Sequence, residues 1–284
     1  MTQGTAGVHR PPLSKDTRLC ISLSGRPSNI GTRFHNHLYD VLGLDFLYKA
    51  FTTTDIAAAI GGVRALGIRG CSVSMPFKED VLSLVDEIEP SAQSIRSINT
   101  IVNDVSVPGG RLTASNTDYL AVQQLIGEHH LDPSSAVLIR GSGGMAKAVG
   151  VAFVDAGFGT GVVVARNAAR GRELADRLGF DYLADVGEVT APIIVNVTPI
   201  GMAGGQEEHD LAFSETTIAA AETVFDVVAL PSETPLIAAA RAAGKQVITG
   251  AQVIALQAAE QFERYTGVRP TPEQIAEASA LSRA

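Results

Sequence analysis

Two successive series of short apolar runs alternating with helical patterns predict an α/β protein of two lobes. The first series runs from "RLCISLS" to "INTIVN", the second from "SAVLIRGSGG" to "KQVITG". A glycine-rich turn in the second series, entered from an apolar strand and left into a helix, makes that lobe a Rossmann-type doubly wound domain. With 45% hydrophobic and 18% charged residues, the chain of 284 has enough apolar surface for two ordinary cores.

In the first series "RLCISLS" (18–24), "LYKAFT" (47–52), "RGCSVS" (69–74) and "INTIVN" (98–103) read as strands. "FHNHLYDVLGL" (34–44), "TDIAAAIGGVRALG" (54–67) and "PFKEDVLSLVDEI" (76–88) read as helices, and alternation of this kind predicts parallel sheets. Next, "RLTASNTDYLAVQQLIGEHHLD" is a strand end and a helix placed to bridge the lobes. The second series adds strands at "GVVVA", "APIIVNVTP", "TVFDVVALP" and "KQVITG", and "AQVIALQAAEQFERYTG" closes it as a long amphipathic helix. The expected division is 1–117 plus 251–284 for one domain and 118–250 for the dinucleotide-binding one, with a ligand cleft between the lobes. Residues 1–17 read as a loose polar tail without the apolar core of a signal peptide.

A formal charge of −8 argues against nucleic acid as a partner, and no apolar run reaches the roughly 20 residues of a membrane span. Cys20 and Cys71 lie far apart and make no metal-ligand pair, so a reduced cytoplasmic setting is expected. His35 and His37 lack the i, i+4 spacing of a helical zinc pair and have no accompanying glutamate, so no metal is expected either.

"AVLIRGSGGMAKAV" matches G-x-G-x-x-A at Gly141, Gly143 and Ala146. Gly141 permits the tight turn, Gly143 lets a pyrophosphate approach the backbone, and Ala146 lets helix pack on strand. An NAD site offers an acid after the next strand for the ribose 2′-hydroxyl. Here "GVVVA" is followed by Arg166, with Arg170 a helical turn on, and guanidinium groups suit the 2′-phosphate of NADP.

In "SVSMPFKED", Pro76 is expected at the first position of a helix, which sets Lys78 in its first turn. An ammonium is disfavoured at that positive end, which suits proton-transfer chemistry, although most lysines are simply solvated. Ser115, Asn116, Thr117 and Asp118 precede "YLAVQQLI" and suit helix capping.

Taken in order, these pieces resemble the shikimate dehydrogenase family, specifically its shikimate dehydrogenase-like branch, from about Leu19 to Gly267. The motifs are "SLS" with a downstream "HN", "SVSMPFK" for Asn-Val-Thr-x-Pro-x-Lys, "INTIV", "NTD", "GSGG", "VNVTPIGM" and "LQAAEQF". The resemblance implies NADP-linked interconversion of 3-dehydroshikimate and shikimate, with Lys78 and Asp118 as the catalytic pair. It implies substrate contacts at Ser22, Ser24, Ser74, Asn99, Asn116 and Gln257. It implies cofactor contacts at Gly141, Ser142, Gly143, Gly144, Met145, Ala146, Arg166, Arg170, Thr198, Met202, Val228 and Gly250. Neutral hydroxyls and amides of this kind suit a polyhydroxy carboxylate.

The chain departs from the family pattern in four places. "GRPSNIGTRF" is longer than usual, Ala165–Arg166–Asn167 stands for Asn-Arg-Thr, Ala229 replaces a tyrosine, and Ser72 and Ser74 replace Asn and Thr. The expected activity on shikimate is accordingly low. Quinate or a related cyclic hydroxy acid is the rival substrate, a non-catalytic dinucleotide-binding regulator the rival function, and monomer and homodimer both remain open.

Overall fold

The computed structural model describes residues 9–283, which form two units, one from 9–117 with 255–283 and one from 118–254. The first unit contains β1 (Arg18–Ser24), α1 (Ile30–Val41), β2 (Phe46–Thr52), α2 (Ile56–Ala65), β3 (Gly70–Val73), β4 (Glu87–Ile88), α3 (Pro90–Gln93), β5 (Thr100–Asp104) and β6 (Arg111–Ser115). The chain enters the second unit inside α4 (Thr117–Glu128). There follow β7 (Val137–Arg140), α5 (Gly144–Asp155), β8 (Gly161–Val164), α6 (Ala168–Leu178), β9 (Asp181–Leu183), β10 (Ile193–Asn196), α7 (Glu215–Ala220), β11 (Thr223–Asp226), α8 (Pro235–Ala242) and β12 (Gln246–Thr249). The chain returns within α9 (Gly250–Thr266) and ends in α10 (Pro272–Arg283), a helix the sequence reading did not anticipate.

The first sheet has the order β2-β1-β3-β5-β6-β4 and is mixed, not parallel. β5 runs antiparallel to both β3 and β6 because the short turn at 105–110 joins β5 and β6 as a hairpin. Alternation along β1 sorts its side chains between two cores. Ile21 and Leu23 pack with Cys71, Val73 and the α2 residues Ile60 and Val63. Cys20 faces the other way, among Phe34 and Leu38 of α1, Tyr48 of β2, Phe262 and Tyr265 of α9, and Ile275 of α10. Gly70 is glycine for contact: a Cβ there would overlap the Tyr265 ring.

Three further expectations are corrected in this unit. The apolar spacing of "PFKEDVLSLVDEI" reads as a helix, but residues 75–79 form turns, Asp80–Ser83 a single 3-10 turn, and Glu87–Ile88 a strand on β6. Tertiary pairing overrides the local pattern, since Asp86 takes the Leu112 N–H at 2.7 Å and the Arg64 guanidinium at 2.7 Å. Lys78 therefore has no helix N-terminus beneath it. α1 begins at Ile30, four residues before the expected start, so half of the long "GRPSNIGTRF" segment is helical. Of the expected tail, residues 1–8 lie outside the described residues, but Arg10 is fixed. It donates to Asn36 Oδ1 and Phe46 O at 3.1 Å each and pairs with Asp40 at 3.2 Å.

The second sheet is parallel throughout, in the order β12-β11-β10-β7-β8-β9. Strand order reverses at β7 and β10, and in such sheets ligands bind beyond the strand ends at that switch point. Leu138, Ile194 and Val224 carry one face of its core, against Ile218 of α7 and Leu236 of α8. Both cysteines are buried free thiols, and no helix among the described residues is long and apolar enough to cross a membrane.

Candidate active site

In the first unit, the hydroxyl residues of β1 and β3 share one face. Cys20, Ser22 and Ser24 alternate outward from the aromatic core, and Ser22 stands opposite Ser72 in register. The Tyr48 phenol reaches Ser72 Oγ at 2.5 Å and also bonds Ser22, and burial pushes its pKa well up. Ser24 Oγ donates to Met75 O at 3.3 Å and accepts the Arg26 N–H at 3.1 Å, while Ser74 is exposed just beyond β3. Lys78 follows, half-buried, with its carbonyl taking the Ile98 N–H at 2.8 Å.

Asn99 and Asn116 are both buried. Asn99 Oδ1 accepts from Thr117 N and Thr100 Oγ1 at 2.8 Å each and from Thr117 Oγ1 at 3.1 Å. Asn116 Nδ2 donates to Ser97 O at 2.9 Å. Thr117 Oγ1 also donates to Gln257 Oε1 at 3.4 Å, and Gln261, one turn along α9, donates to Thr100 Oγ1 at 3.0 Å. Ser22, Asn99 and Gln257 are thus tied into hydrogen-bonded groups, whereas Ser74 stands apart. His35 is no ligand. Its ring stacks on Tyr48 with centroids 4.3 Å apart, and burial pushes its pKa down to about 3.

In the second unit, Asp118 is buried in the first turn of α4. Gly141 follows β7 with φ +128°, and a Cβ there would meet Val197 Cγ2 at 2.7 Å. Only glycine fits both constraints. Gly143, the N-cap of α5, carries no side-chain cap, and the space above it and Gly144 is open. Ser142 and Met145 are half-buried beside them, and Ala146 is buried against the sheet. Uncapped helix N–H groups beside an open backbone surface form a cradle that fits a pyrophosphate.

Arg166 is exposed at the end of β8, and Asn167 caps α6 by accepting the Arg170 N–H at 3.1 Å. Thr198 turns inward, its N–H and hydroxyl both on Asn196 Oδ1, while Met202 is exposed. Asn196 Nδ2 donates to Asp226 Oδ1 at 3.0 Å, and Asp226 also accepts from Val228 N at 3.0 Å and Thr234 Oγ1 at 2.6 Å. One buried carboxylate therefore fixes both the 197–202 and the 227–234 loops. Burial pushes its pKa up to about 6, against the lowering effect of those three bonds. Gly250 packs directly on the Val227 and Val228 carbonyls, where a Cβ has no room.

The chain is 58% identical over 271 residues to a shikimate dehydrogenase-like protein of Haemophilus influenzae, covering 95% of this chain and 98% of that one. The chain belongs to the shikimate dehydrogenase family. The profile of the shikimate dehydrogenase substrate binding domain matches residues 29–101. A solved shikimate 5-dehydrogenase-like protein superposes with a TM-score of 0.92 at 58% identity, covering 96% of this chain and all of that one. The shikimate 5-dehydrogenase of Thermus thermophilus, solved with NADP(H) and shikimate, gives a TM-score of 0.82 at 26% identity, over 93% and 99% of the two chains.

The sequence reading missed several residues that hold the candidate ones in place. Tyr48, Thr100, Thr117, Gln261, Asn196 and Asp226 all act this way. Tyr48 carries no motif signal. Gln261 was open to detection, because it stands one helical turn after Gln257 on the same face.

Proposed function

We propose that this protein is an NADP-dependent oxidoreductase that interconverts a cyclic hydroxy acid and its ketone, with shikimate as the leading substrate. The observation that carries the reading is the open, uncapped N-terminus of α5 beside a left-handed Gly141 at the switch point of the parallel sheet. Gly143, Gly144 and the first amides of α5 hold the pyrophosphate, and Arg166 with Arg170 meets the 2′-phosphate. When bound, the nicotinamide exchanges a hydride with the substrate carbon. The protein handles the proton: Lys78 Nζ takes it from the substrate hydroxyl during oxidation and returns it during reduction, with Asp118 as its acidic partner. Ser22, the Asn99 amide and Gln257 orient hydroxyls and carboxylate without adding a fixed charge.

A screen of shikimate, quinate and related cyclic hydroxy acids with NADP and NAD, followed by reduced-nicotinamide absorbance, tests the reading. Shikimate with NADP is expected to turn over, slowly, and Lys78→Ala to lower kcat by orders of magnitude with cofactor affinity nearly intact. Turnover of quinate alone would move the substrate assignment to that acid. Cofactor binding without turnover of any acid would leave a dinucleotide-binding regulator.

A further inference from the structure

The strand β8 ends without the acid that reads a ribose 2′-hydroxyl, but the fold supplies one from elsewhere. Glu207 Oε1 lies 3.7 Å from Arg166 Nη1, and its carboxylate also acts electrostatically on Arg140, the last residue of β7. The backbone of Glu207 is anchored. Its backbone carbonyl takes the N–H of Gly201 at 2.8 Å and of Asp210 at 3.2 Å, which ties it to the 198–202 turn. The neighbouring Glu208 fixes the same loop by taking the Gly204 N–H at 2.8 Å. An anion arriving at Arg166 therefore meets a carboxylate already paired with it.

We propose that Glu207 is a specificity-determining residue that narrows the preference for NADP over NAD. This rests on Arg166 being the 2′-phosphate contact. A 2′-phosphate must displace the Glu207 carboxylate from Arg166 and is repelled by it, whereas a 2′-hydroxyl donates a hydrogen bond to it. Arginine and glutamate together thus offer a contact to either cofactor, and the ratio of affinities reflects their competition.

Calorimetric titration of the protein with NADP and NAD separates the effects without using turnover. Glu207→Gln is expected to tighten NADP by about 2- to 5-fold, the worth of an exposed ion pair that no longer has to be broken. It should weaken NAD by about 5-fold, as a charge-assisted bond gives way to a neutral one. In Arg166→Ala, NADP should weaken by about 10- to 150-fold, and adding Glu207→Gln should then tighten it less than in the wild-type background, since only the repulsion is left to relieve. If wild type binds NADP and Arg166→Ala weakens it, but Glu207→Gln moves neither cofactor, the role of Glu207 is wrong and that of Arg166 stands. If wild type binds neither, or Arg166→Ala costs both equally, the cofactor reading fails and the Glu207 inference with it.

Discussion

Asp226 shows how one side chain fixes two loops at an electrostatic cost. It is fully buried, and its carboxylate is met by three neutral donors and no cation. The sign of its contribution follows from the raised pKa. In the unfolded chain the group ionises near its ordinary value of 3.8, in the folded protein near 6, so ionisation opposes folding. Its stabilising contribution is complete below about pH 4 and is lost as pH rises through about 6. Asp226→Asn keeps the shape and removes the charge. Relative to wild type, it should gain about 1–3 kcal/mol in unfolding free energy between pH 4 and pH 7. Urea denaturation of both proteins across that range decides the matter, and parallel pH profiles would sink the assignment.

Among the elements, strands and helices whose own periodicity matched their burial were readable from the sequence. β1, β2, β3 and the second sheet apart from β9 fall where alternation and apolar runs put them, whereas the three-residue β9 was not anticipated. The segment 76–88 was misread because its apolar spacing satisfies a helix, while its true partner, β6, is more than twenty residues away. The glycine loop was legible because Gly141 and Ala146 are each required locally. The lower layer of the site was not, since Tyr48 and Asp226 act through strands paired by the fold. Asn36 was marked by the "HN" motif, but the part it plays was not legible. β2 is an edge strand, and the Asn36 amide covers its exposed backbone by donating to Tyr48 O at 2.8 Å and accepting from Tyr48 N at 3.1 Å. Asn36→Ala leaves that pair, and the Arg10 contact, without a partner and should cost about 1–3 kcal/mol of stability. A loss below about 0.5 kcal/mol, within the range of ordinary surface substitutions, would show that solvent satisfies the edge equally well.

For the whole molecule, the proposed division of labour follows the division of the chain except at Asp118, the proposed acidic partner of Lys78, which opens the second unit. The proposed pyrophosphate cradle, Arg166 and Glu207 all lie within 118–254, whereas Ser22, Ser74, Lys78, Asn99 and Gln257 lie within 1–117 and 255–284. With a formal charge of −8, the protein opposes the approach of an anionic cofactor and an anionic acid alike, so each must be held by local donors. Substitutions should therefore separate cleanly. Ser22→Ala removes one neutral hydroxyl, worth about 0.5–1.5 kcal/mol, and should lower kcat/KM for shikimate by about 2- to 13-fold. It should leave the Kd of NADP, measured without substrate, unchanged. Arg166→Ala should do the reverse, weakening NADP while leaving the shikimate KM at saturating cofactor near its wild-type value. The two measurements together test the assignment of ligands to units. If Ser22→Ala weakens free-enzyme NADP binding as much as it weakens shikimate use, residues of the first unit help to hold the cofactor, and the separation argued from the chain's division is wrong.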